Sequence, residues 1–270
     1  MTKFLYWSDL HLEFDRHEKF ELPELDEVIH GVLLGGDTHV GPSHLNFLER
    51  VWDKYQVPVV SIRGNHEYYN QIWQDLIAED EERLQEFKRL GKEIHVLDPG
   101  MIVINGVRIV AATLWTDLMV NGNPLMNAIA VQKGLNDYRI CKIRDDDKVR
   151  RLTPSDTQKK HFEDRNFIRE TISKDFDGPT LVMTHHMPTQ LLIDEKYTGS
   201  EFNAGFASDM TDMLFSSNVD VWTYGHTHDK NDITLDREDR GVIKLVSNIR
   251  GYPHEYGTRE KFVSNFTIEL

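Results

Sequence analysis

Histidine, aspartate and asparagine recur along this chain in short clusters. The clusters are Asp9-x-His11, Gly36-Asp37, Gly64-Asn65-His66-Glu67, His185-His186 and Gly225-His226-Thr227-His228. Imidazole and carboxylate groups are common transition-metal ligands, and imidazole is the usual acid or base near neutral pH. A single cluster of this kind could be a metal half-site, half of an acid/base pair or a polar turn, because motifs this short match often by chance.

Each cluster stands at or just after the end of an apolar run with the length and composition of a strand. These runs are residues 4–7, 32–34, 59–62, 181–184 and 219–223. Ligands of open α/β sheets bind outside the carboxyl ends of strands, so we expect the clusters to converge on one edge. Side chains two residues apart in an extended segment share a face, which predicts that Asp9 and His11 face the site together, as do His226 and His228. This joint occurrence favours a metal centre.

The segments between these strands predict the fold. Residues 45–55 and 72–90 have helical periodicity, and Gly91 offers a C-terminal stop. Strand, helix, strand order favours parallel pairing. The Asn105-Gly106 pair predicts a hairpin, and residues 232–249 predict another. The predicted fold is an α/β, four-layer α/β/β/α sandwich of two mixed sheets flanked by helices, with the metal site at the carboxyl ends of strands.

Residues 117–177 interrupt this pattern with a highly charged stretch that ends in a helix-like segment. Such a stretch is either a solvated helical excursion or a cap over the site. The sequence has no internal repeat and no Gly/Ser linker, which favours a single domain over residues 1–270 with a helical cap-like insertion at about 117–177.

Composition limits the possible partners and compartments. The formal charge of −14 makes nucleic acid a less favoured partner than a small molecule. No apolar run reaches the roughly 18 residues of a membrane span, and the first residues lack a signal-peptide pattern, so a cytoplasmic protein is expected. The single cysteine, Cys141, excludes an intramolecular disulfide and a thiolate zinc cluster. The oligomeric state stays open.

Taken in order, the five clusters, with Pro188 after the fourth, resemble the five blocks of the calcineurin-like metallophosphoesterase superfamily. The match covers residues 9–228, and the ordered set is far more specific than any one block. The resemblance implies a dinuclear, metal-dependent hydrolase of phosphomonoesters or phosphodiesters. It further implies that Asp9, His11 and His228 hold one ion, that Asn65, His185 and His226 hold the other, and that Asp37 bridges them. His186 could exchange roles with His185.

This ligand set also predicts how the reaction proceeds. Two transition-metal ions, with Mn, Fe or Zn expected, leave the cluster cationic and attract a phosphate, and the amide of Asn65 ligates without cancelling charge. A bridging hydroxide would attack phosphorus in line with the leaving oxygen. By resemblance, His66 protonates that oxygen or orients the phosphate. Glu67 either orients a neighbouring group or caps the next helix.

Alternatives from within and outside this superfamily remain. The segment Arg63 to Glu67 also resembles Ser/Thr protein phosphatases, but there the Gly-Asp block continues into an arginine, whereas Thr38 stands here. A nuclease of the same superfamily and a non-catalytic protein-docking scaffold are the other hypotheses. Near the end of the chain, Arg250 and Tyr252 are candidates for substrate contact, although Gly251 and Pro253 are equally typical of a turn.

Overall fold

The computed structural model describes residues 1–15 and 19–270. In these ranges the strands are β1 (Lys3–Trp7), β2 (Gly31–Leu34), β3 (Val59–Ser61), β4 (Ile94–Val96), β5 (Gly100–Ile104), β6 (Val107–Ala112), β7 (Lys142–Asp145), β8 (Lys148–Arg151), β9 (Thr180–Thr184), β10 (Val221–Thr223), β11 (Ile233–Asp236), β12 (Val242–Val246) and β13 (Thr267–Glu269). The α-helices are α1 (Ser43–Tyr55), α2 (Trp73–Arg89), α3 (Pro124–Gly134), α4 (Asp137–Ile140), α5 (Pro154–Ile172), α6 (Thr211–Ser216) and α7 (Tyr256–Arg259).

The first sheet has the order β13-β1-β2-β3-β4. Strands β1 to β4 run parallel, with Leu5 opposite Val32 and Val32 opposite Val59, whereas β13 joins β1 antiparallel. Helix α1 connects β2 to β3, and α2 connects β3 to β4. These are the parallel strand, helix, strand units that the alternation of apolar runs predicts.

The second sheet has the order β11-β12-β10-β9-β6-β5. Its four inner strands are parallel, and a hairpin closes each edge. The β5–β6 hairpin turns through Asn105 and Gly106, both with positive φ (47° and 79°), as a tight hairpin turn requires. Both hairpins predicted from the sequence are confirmed.

The two sheets pack face to face. Phe4 and Tyr6 of β1 point inward and pack in one cluster with Ile109 of β6. Leu5 and Trp7, one residue out of phase, point to the other face and pack in a cluster with α1 and α2. The outer face of the second sheet packs against α5 and α6. The layers are therefore α/β/β/α, as predicted.

The charged segment at 117–177 contains α3, α4, the β7–β8 hairpin and α5. Helix α5 begins with a capping box between Thr153 and Asp156. Val131 of α3 and Tyr138 of α4 are buried in a cluster with Trp115. The segment thus shares a hydrophobic cluster with residues outside it. No helix in the described part of the chain is long and apolar enough to cross a membrane.

Candidate metal centre

The loops after β1, β2, β3, β9 and β10 meet at one edge of the paired sheets. The backbone N–H of His11 donates to the carbonyl of Asp37 (2.9 Å), which joins the first two loops. The N–H of His226, from the second sheet, donates to Oδ1 of Asp9 in the first (2.9 Å). The predicted convergence of strand ends is therefore present, and it involves both sheets.

The backbone at this edge differs from the extended geometry that the sequence reasoning assumed. Asp9, His11, Asp37, His226 and His228 all adopt the left-handed conformation, with φ between 48° and 65°. Non-glycine residues rarely do so, at a cost of order 1–3 kcal/mol each, and such residues accumulate at functional sites. Asp9 and His11 share one group of ligand atoms, whereas His226 and His228 lie in separate groups. These positions result from loops that curl after the strands end and not from alternation along a strand.

Glycines allow the loops after β2 and β3 to touch. A Cβ on Gly64 would collide with Oδ1 of Asp37. A Cβ on Gly36 would lie 2.6 Å from the backbone nitrogen of Gly64 and 2.8 Å from Nδ1 of His185. Glycine is required at both positions by this close approach.

The buried carboxylate of Glu67 fastens these two loops together. It accepts hydrogen bonds from the backbone N–H groups of Asp37 (3.0 Å), Thr38 (2.8 Å) and Gly64 (2.8 Å). Glu67 precedes α2 by several residues and does not cap it. Of the two roles considered from the sequence, the contacts support orientation of the neighbouring site residues.

Six of the predicted ligands and His66 form three adjoining groups in the described part of the chain, and within each group the possible ligand atoms lie within 4.8 Å of one another. The groups are Asp9, His11 and His228; His11, Asp37 and His66; and Asp37, His185 and His226. The two oxygens of Asp37 face different groups. Oδ2 lies 3.7 Å from Nε2 of His11, whereas Oδ1 lies 3.5 Å from Nε2 of His185. Asp37 thus stands between the two sets of ligands named in the sequence analysis.

The second set is completed by Asn65. Its Oδ1 lies 3.1 Å from Nε2 of His185, so both atoms point toward the same space. Nδ1 of His185 faces the carbonyl of Gly35 (2.9 Å). His186, the alternative ligand, instead lies with Nδ1 3.3 Å from the carbonyl of Thr113 and with its ring beside Trp115. The arrangement favours His185 as the ligand.

Burial controls the protonation of the site. It lowers the pKa of His11 to about 3 and lowers those of His185 and His226, so these imidazoles are neutral at pH 7, the form that binds metals. For His228, burial is outweighed by Asp9 and Glu255, which raise its pKa to about 9. Burial, together with nearby carboxylates, raises the pKa of Asp37. At pH 7 the site therefore combines neutral imidazoles at His11, His185 and His226 with a protonated His228 beside the carboxylates of Asp9 and Glu255.

The residues fit a pair of transition-metal ions. The donors are imidazole, carboxylate and amide groups, a set typical of Zn, Mn and Fe sites. Nε2 of His11 and Nε2 of His228 lie 2.9 Å apart, as expected for two nitrogens aimed at one ion. The buried Nε2 of His226 has no hydrogen-bond partner among the residues that the structure describes. A bound ion would satisfy it.

His66 lies beside the ligands and is held on three sides. Nδ1 is 2.8 Å from Oε1 of Glu13, and Nε2 is 2.8 Å from the hydroxyl of Tyr252. The ring stacks on Tyr69 with a centroid distance of 4.0 Å. Glu13 also lies 3.3 Å from Nδ1 of His11, and with these two histidines donating, its pKa falls to about 2 despite burial.

The structure adds a residue that the sequence reasoning missed entirely. Asp137 of α4 is buried and accepts hydrogen bonds from Nδ2 of Asn65 (2.8 Å) and from the hydroxyl of Tyr69 (2.9 Å). Glu13, also missed, follows His11 by two residues, and this proximity to a predicted ligand was a usable signal. Nothing near Asp137 in the sequence points to the site.

Residues 2–230 match the family described as calcineurin-like phosphoesterase. The chain belongs to this family. The resemblance inferred from the five clusters is confirmed, and membership indicates a phosphoesterase-type hydrolase. The phosphatase or phosphodiesterase class is not fixed by it.

Two similar proteins show how far this likeness extends. An uncharacterized protein of Acanthamoeba polyphaga mimivirus is 26% identical, over 93% of this chain and 91% of its own length. The crystal structure of the phosphopantetheinyl hydrolase PptH of Mycobacterium tuberculosis matches with a TM-score of 0.69 at 16% identity, covering 99% of this chain and 95% of that one. At that identity the second match shows a shared fold.

In this calcineurin-like phosphoesterase, the edge where the five loops meet, which we call the ligand edge, opens into a cavity of about 600 Å³. Asp37, Asn65 and His66 line one part, and Tyr252 and the end of α3 line others. Tyr252 can therefore reach a bound molecule, as considered from the sequence. Arg250 is buried and donates to the carbonyl of Leu10 (3.0 Å), which assigns it to holding the loop after β1.

Proposed function

We propose that this protein hydrolyses small-molecule phosphoesters with two transition-metal ions bound at the edge where the five loops meet. One ion is held by Asp9, His11 and His228, the other by Asn65, His185 and His226, with Asp37 between them. The observation that carries the proposal is the placement of Asp37, whose two oxygens face two separate groups of histidines.

Bound there, the ions supply Lewis acidity and lower the pKa of water enough for it to attack phosphorus near neutral pH. The chain's own residues build the environment for this chemistry. The neutral imidazoles of His11 and His185 and the uncharged amide of Asn65 do not cancel the charge of bound ions, so the loaded centre would keep a surplus of positive charge, which favours a phosphate oxyanion.

His66 donates a proton to the oxygen of the leaving group. In the overall reaction, the oxygen of water bonds to phosphorus, the bond from phosphorus to the ester oxygen breaks, and that oxygen takes up a proton. Glu13 accepts from Nδ1 of His66, which leaves Nε2 directed toward Tyr252 and the cavity. An imidazole so oriented can deliver its Nε2 proton to an oxygen that lies there.

The site favours a small molecule over nucleic acid. The formal charge is −14, and Lys196 is the one lysine or arginine among the described residues that line the cavity. Phosphate backbones are held by clustered lysine and arginine, so a nuclease fits this surface poorly. A non-catalytic scaffold has no need for this ligand set.

The test is hydrolysis by protein reconstituted with Mn²⁺, Fe²⁺ or Zn²⁺, assayed on a panel of phosphomonoesters and phosphodiesters. We expect about two ions per chain, activity on at least one class of ester, and its loss on chelation. The Asp37→Asn variant should lose both metal and turnover, because this residue serves both ions. Protein that binds two ions yet cleaves no ester would contradict the proposed activity.

A second measurement isolates the role of His66. The His66→Asn variant should keep both ions but lose about 10²- to 10⁴-fold in rate on an alkyl ester, the usual scale of general acid catalysis. A nitrophenolate leaves without a proton, so the loss on a nitrophenyl ester of the same phosphate should be far smaller. Equal losses on the two esters would assign His66 to phosphate orientation, and loss of metal would make it a ligand.

A further inference from the structure

Part of the cavity lining is apolar, next to polar side chains such as Asn136, Ser200 and Asn203. Five of its side chains, which we name the leaving-group wall, are Leu135, Met187, Ile193, Phe202 and Phe206. Four of them are only partly buried, whereas Met187 is buried. Half-exposed apolar side chains that line a concave site are typical of ligand pockets.

The wall begins in contact with the metal centre. The ring of Phe206 stacks on His226 with a centroid distance of 4.6 Å and an angle of 28° between the planes. Ile193 and Phe206 also pack on the core cluster of the second sheet, which fixes their position. A group attached to a phosphate at the ligand edge would therefore lie against this wall.

The wall is preformed by tight packing between the end of α3 and the segment 202–206. A Cβ on Gly134, at the end of α3, would collide with the ring of Phe202. A Cβ on Gly205 would lie 2.6 Å from Leu135 and 3.1 Å from Val131. The insertion and the 202–206 segment are thus in close contact, so a ligand need not order them on binding.

Beyond Asp37 and His66, the charged side chains that line the cavity already have an ionic or hydrogen-bond partner. Lys196 forms an ion pair with Asp229 (2.6 Å), and Glu255 pairs with Nδ1 of His228 (2.6 Å). Asp137 accepts its two hydrogen bonds from Asn65 and Tyr69. An additional charge on the ligand would have to break one of these pairs or stay unpaired, at a cost in binding free energy.

From these contacts we infer that the leaving-group wall binds the uncharged, largely apolar alcohol portion of the phosphoester substrate. The inference rests on the proposed function, since the phosphate is placed at the metal edge. It also gives residues 117–177 a role, because Leu135 and Gly134 come from that insertion. A leaving group that carries a second phosphate or a carboxylate is disfavoured.

Alkylphosphonates test the wall without turnover, because their carbon–phosphorus bond is not hydrolysed. Binding of methyl- to octylphosphonate to the Mn²⁺-loaded protein is measured by calorimetry. Each added methylene should tighten binding about fourfold over the first carbons, given the usual gain per buried methylene. An ω-carboxyalkyl phosphonate of equal length should bind at least tenfold more weakly than the alkyl compound.

Substitutions inside and outside the leaving-group wall test whether the wall causes the dependence of affinity on chain length. Phe202→Ala should flatten the dependence on chain length, and Phe202→Leu should retain most of it. Phe215→Ala, a matched change at a partly exposed phenylalanine of α6 outside the cavity, should leave the dependence unchanged. Affinity independent of chain length, equal binding of the carboxylate, or an unaltered slope in Phe202→Ala would overturn the inference.

Hydrolysis of the matching alkyl phosphates separates this inference from the proposed function. Chain-length-dependent phosphonate binding without ester cleavage would support the wall and reject the hydrolase. Ester cleavage together with flat phosphonate affinity would support the hydrolase and reject the wall.

Discussion

Single side chains at this centre are oriented by partners from other elements. Asn65 offers its Oδ1 toward His185 because its Nδ2 donates to Asp137. Asp137 also binds the hydroxyl of Tyr69, whose ring supports His66. One carboxylate therefore orients a candidate metal ligand and the platform of the candidate acid, the kind of contact that tunes metal affinity.

Removing this carboxylate should weaken one ion. In Asp137→Ala, Nδ2 of Asn65 keeps only its hydrogen bond to the Tyr69 hydroxyl (3.1 Å), so the amide is held less firmly. We expect affinity for one of two Mn²⁺ ions to fall about 10- to 100-fold. Asp137→Asn keeps a carbonyl acceptor and should recover most of that affinity. Arg139→Ala, an exposed change on the same helix, is the control. The measurement is metal titration by calorimetry, and two ions bound at wild-type affinity in Asp137→Ala would refute the role.

Helices α1 and α2 are tied to the end of β3 by a buried polar network. Nε2 of His44, on α1, lies 3.1 Å from Asp80, on α2. Arg63, which directly precedes Gly64 in the loop after β3, donates to Asp80 from Nε and Nη2, each at 2.7 Å. All three side chains are buried. The network fixes the two helices relative to the loop that carries Asn65.

This network predicts a pH-dependent stability. Burial alone would raise the pKa of Asp80, but His44 and Arg63 lower it below 3.8. Its stabilisation is therefore complete above about pH 4 and is lost as the pH falls through the lower folded-state pKa. Asp80→Asn should lower the free energy of unfolding by about 3 kcal/mol at pH 7, since it leaves the buried Arg63 with only the more distant carboxylate of Asp98 (3.7 Å).

Urea unfolding at pH 7 and at successively lower pH measures this difference. The gap between wild type and Asp80→Asn should narrow below pH 4, where the wild-type carboxylate becomes protonated. Asp75→Asn, at a half-exposed position of the same helix, should cost under about 1 kcal/mol. A gap that stays constant with pH would contradict the ionic origin of the stabilisation.

The elements of this fold were predictable because their signals are local. Apolar runs and the Asn105-Gly106 turn lie within a few residues of the strands that they define. Asp137, which supports the site, was not predictable in the same way. It is 72 residues from Asn65 and 68 residues from Tyr69, the two side chains that donate to it. The left-handed backbone at Asp9 was also missed, since it depends on how two loops meet and not on sequence spacing.

At the scale of the whole molecule, the loops of both sheets contribute predicted ligands to the candidate metal centre. Asp9, His11 and Asp37 come from loops of the first sheet, whereas His185, His226 and His228 come from loops of the second. Each predicted ion takes ligands from both. Bound ions would thus connect the sheets at one edge, in addition to the apolar contacts between their faces.

Metal removal should therefore lower the stability of the whole domain. A ligand that binds only the folded state stabilises it by about 2.7 kcal/mol when present at 100 times its Kd. We expect chelated protein to melt at a lower temperature, and the melting temperature to rise with the logarithm of free Mn²⁺ concentration. Asp37→Asn should show little of this dependence, because its oxygens face both groups of histidines. Calorimetric melts alongside metal analysis measure the effect. Two tightly bound ions with an unchanged melting temperature would show that the unfolded chain binds them equally well, which contradicts a site that needs loops from both sheets.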